Sequence, residues 1–217
     1  MVDDDLGART QGWLELIRPY RSAHREARYT FQPDHSALLV IDMQRYFLDE
    51  GSHACIPTGR AVLKNIGKLV ARFREMDRPI IYTRHAYLDD EPAGVMDKWW
   101  GDNIRESDPL SEIVQDIKPA MGDVVLRKTR YSAFIRTGLE QMLRSADIKS
   151  LLVTGVMTHL CCESTARDAF MRDFEVYFVV DGTASSDDDL HLSSLRTLTD
   201  GFAIPVTTEE VLGWKSE

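Results

Sequence analysis

The stretch SLLVTGVMTHLCCESTARDAF, Ser150 to Phe170, is an apolar run, a glycine, and then a segment with apolar residues at helical spacing. Ser150–Val156 is short, aliphatic and uncharged, which suits a strand buried on both faces. The spacing predicts a helix from about His159 to Arg172. A strand running directly into a helix is half of a βαβ unit, and the same alternation recurs along the chain. Ala37–Ile41 (ALLVI), Pro79–Thr83 (PIIYT), Val124–Lys128 (VVLRK) and Glu175–Asp181 (EVYFVVD) read as further strands. Ala203–Thr207 (AIPVT) reads as the last strand, with Pro205 pointing to an edge.

Between these runs, Val62, Leu63, Ile66, Leu69, Val70 and Phe73 recur at helical spacing, as do Leu139, Met142, Leu143 and Ala146. Asp187, Asp188 and Asp189 suit a helix N-terminus, and Gly201 suits the C′ position that ends that helix. The long irregular region Arg84–Gly122 is expected to hold one short helix near Leu110–Ile117. This alternation implies an α/β fold, a parallel sheet covered by helices on both faces in a three-layer α-β-α sandwich. Residues 1–30 are polar and dotted with aromatics (Trp13, Tyr20, Tyr29). They read as a helical extension packed on the domain or on a neighbouring subunit, leaving residues 31–217 as a single domain.

Composition narrows the function classes. The 217 residues carry a net charge of −9 and no Lys/Arg-rich face or tail, so neither nucleic acid nor an anionic membrane is an expected partner. MVDDDLGARTQGW has no basic region followed by an apolar one, so no signal peptide is expected. No apolar run approaches the roughly 20 residues of a membrane span. Three cysteines, two of them adjacent, make no disulfide framework and suit free thiols in a reducing, cytoplasmic compartment.

Open parallel sheets bind ligands beyond the carboxyl ends of their strands, where strand order reverses. Asp42 follows the first strand, Lys128 closes the third, and Cys161 lies just beyond the fourth. An acid, an amine and a thiol therefore share one rim of the sheet. Each has a plainer reading: Asp42 as the cap of a turn, Lys128 as a solvated lysine, Cys161 as a small buried apolar residue. Thr158 is a suitable N-cap, which makes Cys161 the third helical residue. A thiol there feels the positive helix end, and a nearby lysine would lower its pKa further. Cys162, about 100° further round, turns toward the sheet and packs with Ala166 and Ala169. Cys161 is thus the nucleophile candidate and Cys162 its structural neighbour. A vicinal disulfide would be strained. Two other classes use the same residues: a redox sensor built on the paired thiols, and a binding module that has lost its chemistry.

LLVIDMQRYF (Leu38–Phe47), VVLRKTRYSAF (Val124–Phe134) and VTGVMTHLCCESTARDAF (Val153–Phe170) occur in one order and at set intervals. With them the chain resembles the isochorismatase-like cysteine hydrolase superfamily over roughly residues 30–212. That superfamily includes nicotinamidases, N-carbamoylsarcosine amidases and other small-amide hydrolases. The resemblance implies a six-stranded parallel sheet in the order 3-2-1-4-5-6 and a cis peptide at Val156–Met157. It implies Asp42 as general base, Lys128 as its charged partner and Cys161 as nucleophile, with the N–H groups of Met157 and Cys161 forming an oxyanion hole. The implied reaction is hydrolysis of a small amide or ureido C–N bond through a thioester, with ammonia leaving and no cofactor. A homodimer or homotetramer is the implied assembly.

Two departures qualify this. Nicotinamidases bind a metal through Asp-x-His after the second strand, whereas YTRHAYLDD (Tyr82–Asp90) places His85 where the Asp would stand. His53-x-Cys55 is too sparse for a metal site, so no metal is expected. True isochorismatases carry glycine in place of the cysteine and cleave a vinyl ether with the aspartate as acid; this chain keeps Cys161. The N-terminal extension and MDKWWGDNI (Met96–Ile104) still look somewhat like that branch. Phe47, His85, Trp99, Tyr131, His159 and Leu160 are the expected pocket residues, with Trp99-Trp100 alternatively placed at a subunit interface and Phe134 either in the wall or in the core.

Overall fold

The computed structural model describes residues 5–214. Its strands are β1 (Ser36–Ile41), β2 (Ile80–His85), β3 (Val124–Lys128), β4 (Ser150–Val156), β5 (Glu175–Ala184) and β6 (Ile204–Val206). They form one sheet in the order β3-β2-β1-β4-β5-β6, with every neighbouring pair parallel. The chain winds outward from β1 in one direction and then returns to start again at β4. The strand order therefore reverses between β1 and β4, and the crevice beyond their carboxyl ends is the natural ligand site of such a sheet. β1 and β4 are buried at every position, which is why both read as unbroken apolar runs.

The helices are α1 (Leu6–Ile17), α2 (Ala23–Glu26), α3 (Arg45–Leu48), α4 (Leu63–Glu75), α5 (Val95–Trp100), α6 (Leu139–Ser145), α7 (Glu163–Phe170), α8 (Asp188–Gly201) and α9 (Thr208–Gly213). α4 and α9 pack on each other and on β5; α7 packs on β5 and α8 on β6. α4 buries Leu63, Ile66, Leu69, Val70 and Phe73, the stripe that its spacing predicts. Asp187 caps α8 by accepting from the N–H groups of Asp189 and Leu190. Gly201 is the last residue of α8 and Phe202 the C-cap, so the helix ends two places later than a C′ glycine at 201 would give.

α1 is the first part of the expected extension. It lies against α8 of its own chain, with Trp13 and Ile17 buried. The Trp13 and His191 rings sit 4.2 Å apart, and Arg9 pairs with Asp188. Residues 1–4 of that extension and residues 215–217 of the domain lie outside the described residues.

Other expectations shift. β2 runs two residues past Thr83, pairing His85 with Lys128 across the ladder. β5 continues to Ala184 through a register shift against Val153–Gly155. The helix expected near Leu110–Ile117 does not form; two 3-10 turns, Pro109–Ser111 and Gln115–Ile117, stand there instead. The Ser111 carbonyl, which an α-helix would direct to Gln115, accepts from the Gln44 amide at 2.8 Å and from Arg84 Nε at 3.0 Å. Side chains from the β1 and β2 ends thus take over that turn.

At the reversal point β4 must come very close to β1. Gly155 has φ +115°, and a Cβ there would lie 2.1 Å from the Ile41 carbonyl oxygen. Only glycine fits both the dihedral and the space. Gly155→Ala is therefore expected to destabilise the protein by at least about 3 kcal/mol, read as a lower urea midpoint or loss of soluble protein. A midpoint equal to wild type would mean that the two strands separate there without cost.

Candidate active site

Three elements deliver one reactive side chain each. Asp42 follows β1 with φ +50°, a left-handed conformation that Asp tolerates better than most residues and that turns the chain sharply off the strand. Lys128 ends β3, and its long side chain crosses the end of β2 to reach the reversal point. Cys161 follows β4. Asp42, Lys128 and Cys161 are all buried.

The ammonium of Lys128 joins the other two. Nζ lies 2.7 Å from Asp42 Oδ2, 3.3 Å from Cys161 Sγ and 3.0 Å from the Arg130 carbonyl oxygen. Nζ thus donates to Cys161 Sγ and the Arg130 carbonyl and is ion-paired with Asp42. Neither charged side chain of the ion pair is solvent-accessible. Removing one partner would strand a buried charge, a loss typically of about 3–5 kcal/mol.

Asp42 is also held from the other side. The Thr83 hydroxyl accepts from the Asp42 backbone N–H at 3.1 Å and donates to Asp42 Oδ1 at 2.6 Å. One hydroxyl therefore fixes both the backbone and the carboxylate of the residue. Thr83 was not among the residues singled out from sequence, although a polar residue closing the apolar run PIIYT was a visible signal.

The turn that carries Cys161 differs from expectation. Thr158–Cys162 is a π turn that leads into α7, and Met157 rather than Thr158 is the cap. The Thr158 hydroxyl bonds to His191 Nδ1 at 2.8 Å, and so is not free to cap the turn. The Met157 carbonyl accepts from the N–H groups of both Leu160 and Cys162. Val156–Met157 is cis. Cys162 is fully buried with Ala166 and Ala169, its sulfur 3.9 Å from the Thr154 carbonyl oxygen, and both thiols are free.

Burial works against the charge of Lys128, but Asp42 and the Cys161 sulfur hold the ammonium above the usual lysine range. Burial pushes the Cys161 thiol up to about 12; Lys128 pulls it down and Asp42 pushes it further up. The lowered thiol pKa expected from sequence is not what this environment produces. The resting group is a thiol between a base and a cation, and its proton must be taken when it reacts. Burial, reinforced by Lys128, brings His85 down to about 4, so it is neutral at pH 7.

Cys161 opens on a cavity of about 490 Å³. Phe47, His85, Tyr131, His159 and Leu160 line it, as expected. Trp99 does not: it is 75% exposed, and Trp100 lines the cavity in its place. Neighbours on a helix point about 100° apart, and the Trp100 indole N–H donates to the Tyr131 hydroxyl at 2.9 Å. Phe134 is buried in the core beside Phe174. Lining residues not expected from sequence come from the segments His53–Ile56 and Asp102–Ile104 and also include Tyr46, Met96, Ser186 and Leu190. Asp102 ties the two segments together, 3.0 Å from the Tyr46 hydroxyl and 2.9 Å from His53 Nε2. Neither segment has a periodicity that would place its side chains.

The metal of the nicotinamidase branch does not fit here. Among the described residues no three His, Cys, Asp or Glu side chains are grouped to hold an ion. Lys128 sits close enough to His85 to depress its protonation, an unfavourable place for a further cation.

Taken together, a doubly wound α/β sheet with an acid, an amine and a thiol at its reversal point defines a compact nucleophile site of the hydrolase type. Residues 36–210 match the isochorismatase domain family, and the chain belongs to that family of hydrolases. It is 37% identical over 185 residues to enterobactin synthase component B of Escherichia coli K12, covering 85% of this chain and 65% of that longer protein. It is 36% identical over 179 residues to nicotinamidase 3 of Arabidopsis thaliana, covering 81% of this chain and 86% of that one. The crystal structure of a cysteine hydrolase from Pseudomonas syringae pv. phaseolicola is similar, with a TM-score of 0.83 at 28% identity, covering 85% of this chain and 94% of that one.

His85 and His191, brought down to about 4 and about 3 mainly by burial, stay neutral in the folded protein while the unfolded chain protonates near pH 6.5. Their contribution is complete above pH 6.5 and falls as pH drops toward their folded values, by up to about 1.4 kcal/mol per pH unit for each. Urea midpoints should therefore decline between pH 6.5 and pH 5, above the range where most carboxylates titrate. A flat profile there would mean that these rings are protonated in the fold.

Proposed function

We propose that the protein is a cysteine-dependent hydrolase of a small amide or ureido C–N bond. The observation that carries this is Lys128 Nζ bridging Asp42 Oδ2 at 2.7 Å and Cys161 Sγ at 3.3 Å beneath an open cavity. Asp42 takes the thiol proton as sulfur attacks the amide carbonyl. Lys128 holds the carboxylate and the nascent thiolate in one site, so the proton moves without a change in the total charge of the three groups. The oxyanion of the tetrahedral intermediate lies against the N–H groups of Met157 and Cys161. Asp42 then delivers its proton to the departing nitrogen, ammonia leaves, and a thioester remains. Water, giving a proton to Asp42, attacks the thioester; an acid leaves and the thiol is restored.

The substrate is a free small molecule, and neither a cofactor nor a nucleic acid takes part. We place the enzyme in the cytoplasm as a homodimer or homotetramer, where its free thiols stay reduced. A second reading is vinyl-ether cleavage with Asp42 as acid, favoured by the name of the matching family. The retained cysteine, with its sulfur bonded to Lys128, supports the amide reading over this one.

Ammonia release from a panel of small amides and ureido compounds tests the proposal. Cys161→Ala is expected to abolish turnover, by at least about a thousandfold, while Cys162→Ala retains it. Turnover surviving Cys161→Ala, or cleavage of a vinyl ether such as isochorismate by that variant, would overturn it in favour of Asp42 acid catalysis. Thr83→Val should lower kcat roughly tenfold or more with KM changed little, and Thr83→Ser should recover most of it. Equal kcat in all three would show that Asp42 needs no such support.

A further inference from the structure

Resting on the amide reading above, the structure also constrains what the substrate can be. Among the described residues no arginine or lysine lines the cavity, and Lys128 beneath it has no exposed side-chain surface. The ammonium is already committed to Asp42, Cys161 and the Arg130 carbonyl. Three histidines line the cavity; His53 is already paired with Asp102 at 2.9 Å, and the other two do not replace a cation. His159 uses Nδ1 on the Ser185 hydroxyl at 2.9 Å, and burial lowers its pKa; His85 is held neutral by burial and by Lys128.

The one carboxylate in the cavity wall is Asp102, tied to His53 and to the Tyr46 hydroxyl, on a chain with a net charge of −9. Much of the rest is apolar or aromatic, with Phe47, Trp100 and Tyr131 giving flat faces and Met157, Leu160 and Leu190 aliphatic ones. A carboxylate entering such a cavity loses its water and gains no countercharge, whereas a flat uncharged body loses nothing polar. Arg, as a bidentate fork, and Lys, as a point charge, are the usual side-chain partners of a bound carboxylate, and the lining offers neither.

We infer that the enzyme's substrates are amides whose acyl part is an uncharged, flat or apolar body, and that amides or enol ethers bearing free carboxylates are excluded. His85 lines the same cavity with its Nδ1 buried and without a hydrogen-bond partner, so the ring adds no charge to the wall.

Two measurements on the intact protein separate this from the amidase reading itself. The first is the rate at which Cys161 is alkylated by iodoacetamide and by iodoacetate, with peptide mapping to exclude Cys55 and Cys162. In both, an S–C bond forms as the C–I bond breaks, iodide leaves and the thiol proton is lost, so the reagents differ chiefly in charge. Relative to a neutral model thiol, Cys161 should favour iodoacetamide by at least tenfold. The second is ammonia release from benzamide-type amides against the same amides carrying a ring carboxylate, with kcat/KM at least tenfold higher for the uncharged members. An alkylation preference without any amide turnover would keep the ligand class and overturn the amidase reading. No preference, or a preference for iodoacetate or the carboxylated amides, would overturn the inference.

Discussion

A single buried ammonium organises this molecule's reactive end. The Lys128 side chain has no exposed surface, so its charge is tolerable only beside the ion pair and the two hydrogen bonds that it makes. The acceptors come from three parts of the chain: the end of β1, the turn after β4 and the loop after β3. The requirement is reciprocal, since Asp42 is equally dry and needs the cation as much as the cation needs it. Folding and site assembly are therefore the same event at this end of the sheet. The close approach of Gly155 to Ile41 serves that event by letting β1 and β4 deliver their loops to one point.

The electrostatic result is a site that stores its proton on sulfur. An exposed thiol beside a lysine would tend toward thiolate, but here burial outweighs the cation. A protonated thiol is less open to adventitious oxidation and alkylation than a free thiolate. In the proposed reaction Asp42 accepts that proton, and Thr83 holds Asp42 at both its backbone and its carboxylate.

The sheet was legible because its central strands are apolar runs, and the Asp42, Lys128 and Cys161 grouping because each lies at or just beyond the carboxyl end of a strand. Strand order, the cis bond and the individual roles came from resemblance in three motifs, and a periodicity argument alone would not have reached them. The irregular segments behaved differently. Trp99 and Trp100 are indistinguishable in sequence, and only the direction of a six-residue helix decides which one faces the cavity. Thr158 looked like a cap because its residue type suits one, yet a histidine 33 positions away claims its hydroxyl. Similarly, the turn at Ser111 is decided by donors arriving from Gln44 and Arg84. In each case the deciding partner is distant in sequence, where local rules have no reach.

That Thr158–His191 bond has a wider consequence. His191 packs against Trp13 of α1 and holds the first residue of the turn that bears Cys161. The N-terminal helix, α8 and the nucleophile turn are thereby joined through one imidazole. Local opening of α1 would expose that ring to water, let it protonate, and remove the acceptor or donor on which Thr158 depends. Amide protons of the 158–162 turn would then exchange with solvent at the free energy of α1 undocking rather than that of global unfolding.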